Sequence, residues 1–274
     1  DPSIGKQIKR LAGYQAIIIA KPTIPFTDLD KFLIDQYIMN GGKVMWLIDG
    51  VAMDMDSLQG NKSYSTALPL DLNISDMLFK YGVRINGNLI MDFQSDQIPV
   101  IVGYQGDVPQ QRLFPWPYHP LTIPKNDHPI SKNLDGIRLS FTSEIDTVKS
   151  VVIKKTSILR SSKYSKLVKS PHRVSINLLE NEPNLESFTS GEQDIAMLLE
   201  GKFKSVFQNR LTPKIDGVTF KDNSKETKMI IVADGDIIKN HVSSSGNPFP
   251  LGYNHFSKAQ YNGNKDFILN AINY

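Results

Sequence analysis

Cysteine is wholly absent from the 274 residues. That removes disulfides, thiolate metal sites and cysteine nucleophiles, and it fits oxidising and reducing compartments equally. Long apolar runs are missing too: none approaches the roughly 18 residues that span a bilayer, and no charged-then-apolar leader opens the chain. Charge bias is weak, since 31 Lys and Arg against 28 Asp and Glu leave a formal net charge of +3. A value so small does not mark a nucleic-acid binder. What is present, 40% hydrophobic residues on a chain within reach of one large α/β domain, is ample for a core. The chain opens at Asp1, and its last helical run, Asp266 to Tyr274, stops in mid-pattern, so a fragment of a longer protein is expected.

The first half alternates strand and helix, the grammar of a parallel sheet. Ala16 to Ala20 reads as a strand. Thr27, with Asp30 three positions on, caps a helix whose Leu29, Phe32, Leu33 and Tyr37 share one face, and Gly41 supplies a left-handed stop. The apolar strand Lys43 to Ile48 follows and ends at Asp49-Gly50. Another helix runs from Asp71 to Tyr81. Between them, Val51 to Pro69 is a long polar excursion, a candidate lid or partner surface. Residues 138–200 are β-rich, an expected elaboration of one domain over residues 1–274. Met229 to Ala233 then repeats a buried strand, Asp234-Gly235-Asp236 turns the chain, and a closing helix follows. The expectation is an α/β fold with a largely parallel central sheet, its core strands Ile17 to Ala20, Val44 to Ile48 and Met229 to Ala233 buried on both faces.

Candidate site residues follow from that frame. Asp49, Asp234 and Asp236 all fall at strand carboxyl ends, where open parallel sheets form ligand crevices, and they are expected to converge there. They read either as a site for a cation or sugar hydroxyls or as caps for the next turn's amides. Trp116 and Tyr118, framed by prolines in Leu113 to Pro120, read either as a rigid stacking platform or as core packing. Prolines at this density exclude a central strand. The histidines at 119, 128, 172, 241 and 255 show no ligand spacing, so no metal site is expected. Ser57 and the serines at 243–245 lie in no nucleophile elbow. Tyr253-Asn254-His255 is a further crevice candidate within a connecting loop. No phosphate-cradling glycine motif occurs. From Thr147 to Leu179 there is no acid, and eight basic residues from Lys149 to Arg173 form a basic strip or guard strand edges.

Several ordered segments together resemble a known family. They are Met39 to Asp49, Leu78 to Asn86, the Phe114 to Tyr118 loop, Leu198 to Ser205, Asp234 to Ile238, Pro250 to Tyr253 and Asn264 to Phe267. In this order they resemble the auxiliary, substrate-binding-like subunit associated with gliding-motility ABC transporters of Bacteroidetes. The resemblance implies a class I glutamine amidotransferase-like (flavodoxin-like, three-layer) α/β domain. It also implies a periplasmic location on the inner membrane, anchored by segments outside this chain, with the transporter's membrane and ATPase subunits as partners. His128-Pro129-Ile130 with Asn133-Leu134 resembles a turn of the amidotransferase-like superfamily. Catalytic members of that superfamily use a cysteine, so no enzyme and no cofactor are expected. The function expected is that of a non-catalytic auxiliary or interaction module, the alternative being a sugar- or peptide-binding module and, third, a hydrolase.

Overall fold

The computed structural model describes residues 2–58, 64–180, 183–210 and 219–274. Its first third comprises α1 (Pro2–Leu11), β1 (Ala16–Ala20), α2 (Asp28–Met39), β2 (Lys43–Leu47), β3 (Val51–Ala52), β4 (Tyr64–Pro69) and α3 (Ser75–Tyr81). Then come β5 (Val83–Ile85), β6 (Asn88–Asp92), β7 (Ser95–Gln105), β8 (Val108–Thr122), β9 (Ile137–Arg138) and β10 (Ile145–Thr147). The chain closes with β11 (Ile153–Arg160), β12 (Ser165–Lys169), β13 (His172–Ser175), β14 (Asp194–Lys204), β15 (Asn223–Val232) and α4 (Gly263–Asn273).

Local signals set the element bounds in the first unit. Thr27 Oγ1 accepts from the Asp30 amide at 3.1 Å while Asp30 Oδ2 accepts from the Thr27 amide at 3.0 Å, a reciprocal box that fixes the start of α2. Gly41, at φ 95°, turns the chain out of the helix and into β2.

The central sheet is ordered β1-β2-β15-β14-β11. Its three apolar runs therefore share one sheet, β2 between β1 and β15 with both ladders parallel. The largely parallel, amidotransferase-like and flavodoxin-like architecture expected from the sequence is not found. Among the described residues every other ladder is antiparallel, including β14 against β15 and β11 against β14. The fold is an open, mostly antiparallel, β-rich one with four short α-helices among the described residues. The reason lies in β14. Its run Ile195 to Leu199 is buried on both faces, and such a run looks the same in sequence whichever way the strand points. The β-rich middle thus supplies two strands of the central sheet instead of decorating it.

Helices α2 and α3 bury Phe32, Ile38, Met77 and Tyr81 against one face of this sheet, with Val44, Trp46 and Ile231. Phe267 and Ile268 of α4 cover Met45, Leu47 and Leu198 on the other. A third core gathers Val51, Leu89, Met91, Trp116, Tyr118, Phe141 and Val174. One more expectation is corrected here. β1 is an edge strand, exposed at Ala16, Ile18 and Ala20, so the run is not buried on both faces. The Val51 to Pro69 excursion is largely ordered as β3, a 3-10 turn at Met55–Leu58 and β4, with Val51, Met53 and Leu58 buried; its residues 59–63 lie outside the described residues.

Candidate functional site

The carboxyl ends of the three parallel strands meet. Lys21 follows β1, Asp49 follows β2, and Asp234 and Asp236 follow β15. One carboxylate oxygen from each aspartate lies within 4.8 Å of the others. Asp49 Oδ1 accepts from the Gly235 amide at 2.6 Å, while Asp234 accepts from the amides of Ser140 and Asp236, each at 2.7 Å. Asp234 thus accepts from an amide of the turn that follows it, whereas the partner of Asp49 is the amide of the distant Gly235.

A cation already sits among them. Lys21 Nζ is 2.5 Å from Asp236 Oδ2, 3.6 Å from Asp49 Oδ2 and 3.7 Å from Asp54 Oδ2. Lys239 Nζ stands 3.4 Å from both Asp54 Oδ2 and Asp236 Oδ1. The backbone is shaped for this contact. Lys21 adopts φ 46°, and a Cβ on residue 235 would come within 2.9 Å of the Lys21 side chain, which accounts for Gly235.

Burial governs the protonation of the acids. Desolvation, followed by the fields of Asp236 and Asp49, raises Asp234 well above the ordinary carboxylate range. Asp49 is also pushed up by burial, against the pull of Lys21 and the Gly235 amide. Burial works against the Lys21 charge, but the hydrogen bond to Asp236 and the surrounding carboxylates outweigh it and raise that pKa.

The aromatic pair behaves differently. Trp116 and Tyr118 are 0% and 2% exposed, so they present no stacking platform to a ligand. Their rings lie 5.1 Å apart, Tyr118 stacks on Phe141, and its hydroxyl meets His172 Nε2 at 2.8 Å. The segment is part of β8, contrary to the expectation that prolines exclude a strand. A proline loses only its donor. Pro120 still accepts from the Leu139 amide at 2.9 Å and Tyr118 from Phe141 at 2.8 Å.

One feature was only partly legible in the sequence, through Asp236 and the crevice candidate Tyr253-Asn254-His255. A cavity of about 60 Å³ opens beside the strand ends, lined among others by Asp54, His119, Arg138, Asp236, His241 and Tyr253. Arg138 Nε donates to buried Asp96 at 2.6 Å, and its NH1 and NH2 face His241 Nε2 and His119 Nδ1 at 3.3 and 3.4 Å. A guanidinium cannot accept, so both imidazoles are neutral and offer their other nitrogen as a donor. Burial and the Arg138 charge lower both histidine pKa values. His119 Nε2 and Asp236 Oδ1 are buried without a hydrogen-bond partner. Asn254 and Tyr261 complete the shell of Asp96. These residues are scattered over the chain, and only the fold assembles them.

The remaining candidates resolve locally. Ser57 Oγ donates to the Asp54 carbonyl, and the Ser243 and Ser245 hydroxyls pair with each other. The basic strip is partly neutralised by β14, where Asp194 meets Arg160 at 2.8 Å and Glu200 meets Lys154 at 3.6 Å. His128 packs its ring 5.0 Å from that of Tyr274. No helix among the described residues is long and apolar enough to cross a membrane.

Comparisons with known proteins complete these observations. The chain is 24% identical over 214 residues to an uncharacterized protein of Borreliella burgdorferi, covering 76% of this chain and 38% of that protein. It therefore spans well under half of this relative. Among solved structures it is similar to the mmIFT52 N-terminal domain, at TM-score 0.47 and 12% identity over 97% of this chain and 80% of that one. The family described as ABC-type uncharacterized transport system matches residues 1–271, and this chain belongs to that family of auxiliary transport proteins.

Proposed function

We propose that the chain is the extracytoplasmic, non-catalytic auxiliary module of an ABC transporter linked to gliding motility, working by contact with other subunits. The family match over residues 1–271 carries this reading. In it, residues 1–274 form one domain of a longer, membrane-anchored protein on the periplasmic face of the inner membrane. The partners are the transporter's membrane and ATPase subunits, reached through the intact parent. The closed strand-end cluster supports an interaction role, since its charges are taken up by the protein's own lysines and amides. Purifying the intact parent from membranes in mild detergent tests the reading: the permease and ATPase subunits should co-purify. A parent that emerges without them, or a purified fragment that turns over an ester, amide or glycoside, would overturn it.

A second reading, binding of a small sugar or peptide, is favoured by one observation: His119 Nε2 is buried beside this cavity without a hydrogen-bond partner. In that reading Asp49, Asp234 and Asp236 are ligand-binding residues, whereas the buried Trp116 and Tyr118 are withdrawn from the set. Saturable binding of a simple sugar or short peptide that is lost in His241→Asn would establish it; a flat titration would remove it.

A further inference from the structure

We propose that the outer edge of β1 is a self-association edge, on which two copies of this chain pair antiparallel about a two-fold axis centred on Ile18. The inference goes beyond the transporter reading and does not depend on it. It starts from backbone direction. The Lys43 amide donates to Gln15 O, and the Lys21 amide donates to Leu47 O, so residues 15 and 21 face β2. In a parallel ladder both groups of a residue point the same way and neighbours alternate, so Ala16, Ile18 and Ala20 direct N–H and C=O outward. No hydrogen bond from the rest of the described chain meets those groups.

Both edges of the central sheet are open to solvent, but only one is guarded. β11 carries Lys154, Lys155 and Arg160, is broken by bulges at Ser157 to Arg160, and has Asn126 Nδ2 bonded to its Ile158 carbonyl at 3.0 Å. Those are the devices that prevent edge pairing. β1, Ala-Ile-Ile-Ile-Ala, has no charge, proline or bulge.

The occupant follows from symmetry. Pairing about Ile18 sets Ile18 against its own copy and Ala16 against Ala20, each exchanging both backbone bonds, and it places Ile17 opposite Ile19. The strand reads the same in both directions, so each residue meets its like, as an isologous two-fold contact requires. A pair of such short strands falls below the roughly 1,000 Å² of a stable interface. Tyr14 and Ile24, 56% and 77% exposed, flank β1 in the chain. The expected product is a weak, concentration-dependent dimer.

Sedimentation equilibrium of the whole chain over a wide concentration range tests this, with Ile18→Lys and Ala16→Pro as variants. The first puts a charge on the exposed face; the second removes an outward donor at a strand's first residue, where proline is tolerated. The wild type should dimerise reversibly, and each folded variant should weaken the dimer by at least about tenfold. A wild type that stays monomeric throughout, or a dimer indifferent to the folded variants, overturns the proposal. Concentration-dependent amide exchange at Ala16, Ile18 and Ala20 in the wild type decides the matter independently if a variant fails to fold: protection that rises with concentration supports it, and constant exchange refutes it.

Discussion

The carboxyl end of β1 and its lateral edge are neighbours, Lys21 adjoining Ala20, yet they are finished in opposite ways. At the end, Lys21, Asp49, Asp54, Asp236 and Lys239 form a knot of ion pairs, and backbone amides take up Asp49 and Asp234. Along the edge, Ala16, Ile18 and Ala20 present open backbone and apolar side chains. The place where parallel sheets usually bind ligands is here filled by the protein itself, while a surface that soluble proteins usually guard is left bare. That contrast favours recognition by surface contact over capture in a crevice, in line with the interaction role proposed above.

Mutations sharpen the contrast, and packing sets the scale. Trp116→Ala should cost about 3–5 kcal/mol in urea unfolding, because the indole is wholly buried and its loss leaves a cavity. A variant of wild-type stability would return Trp116 to the surface. Lys21→Met comes next. It leaves carboxylates at the strand ends without their shared ammonium, at a cost of about 2 kcal/mol near neutral pH, moderated by the partial exposure of Lys21.

This cost should depend on pH. Asp49 and Asp234 have folded pKa values raised above the usual value near 4, so the folded state holds extra protons between that value and the raised one. Their contribution to stability is complete below about pH 4 and is lost as pH rises through the folded values. Asp54 and Asp76, held low mainly by hydrogen bonds and cations that overcome their desolvation, act in the opposite sense and weaken the fold in acid. Removing Lys21 raises the clustered carboxyls further, so the deficit of Lys21→Met should shrink towards about pH 4 in parallel melts. A deficit constant from acid to neutral pH would mean that Lys21 acts by packing alone.

Smaller effects should follow at the margins of each region. Asp54→Asn, on a partly exposed side chain, should change unfolding free energy by no more than about 1 kcal/mol. Ile18→Lys should alter the stability of the monomer by less than about 0.5 kcal/mol, since the side chain is 39% exposed. A large loss there would show that β1 is packed in a way its exposure does not reveal.

Much of the strand-end geometry was legible in the sequence. Apolar runs stopping at Asp-Gly locate Asp49 and Asp234 at strand ends, and the capping box at Thr27 and Gly41 fix the helix that positions β2. Lys21 was not legible as their counter-ion, because Lys-Pro after a strand is common and its approach depends on a left-handed backbone and on Gly235. The direction of β14 was hidden by uniform burial. Trp116 was ambiguous because aromatics and prolines fit both a loop and an irregular strand, and the tertiary cover from Phe141 and His172 decides the outcome. The Arg138 cavity draws its histidines from distant segments, beyond any local pattern.

The most direct measurement places a photo-crosslinking amino acid in the intact parent, at Ile18 on the edge of β1 in one variant and at Tyr253 beside the strand-end cavity in another. Contact through the open edge predicts a crosslink from position 18 to another protein chain, a second copy first of all, and none from position 253. Crosslinks from 253 alone, with position 18 silent, would contradict the account.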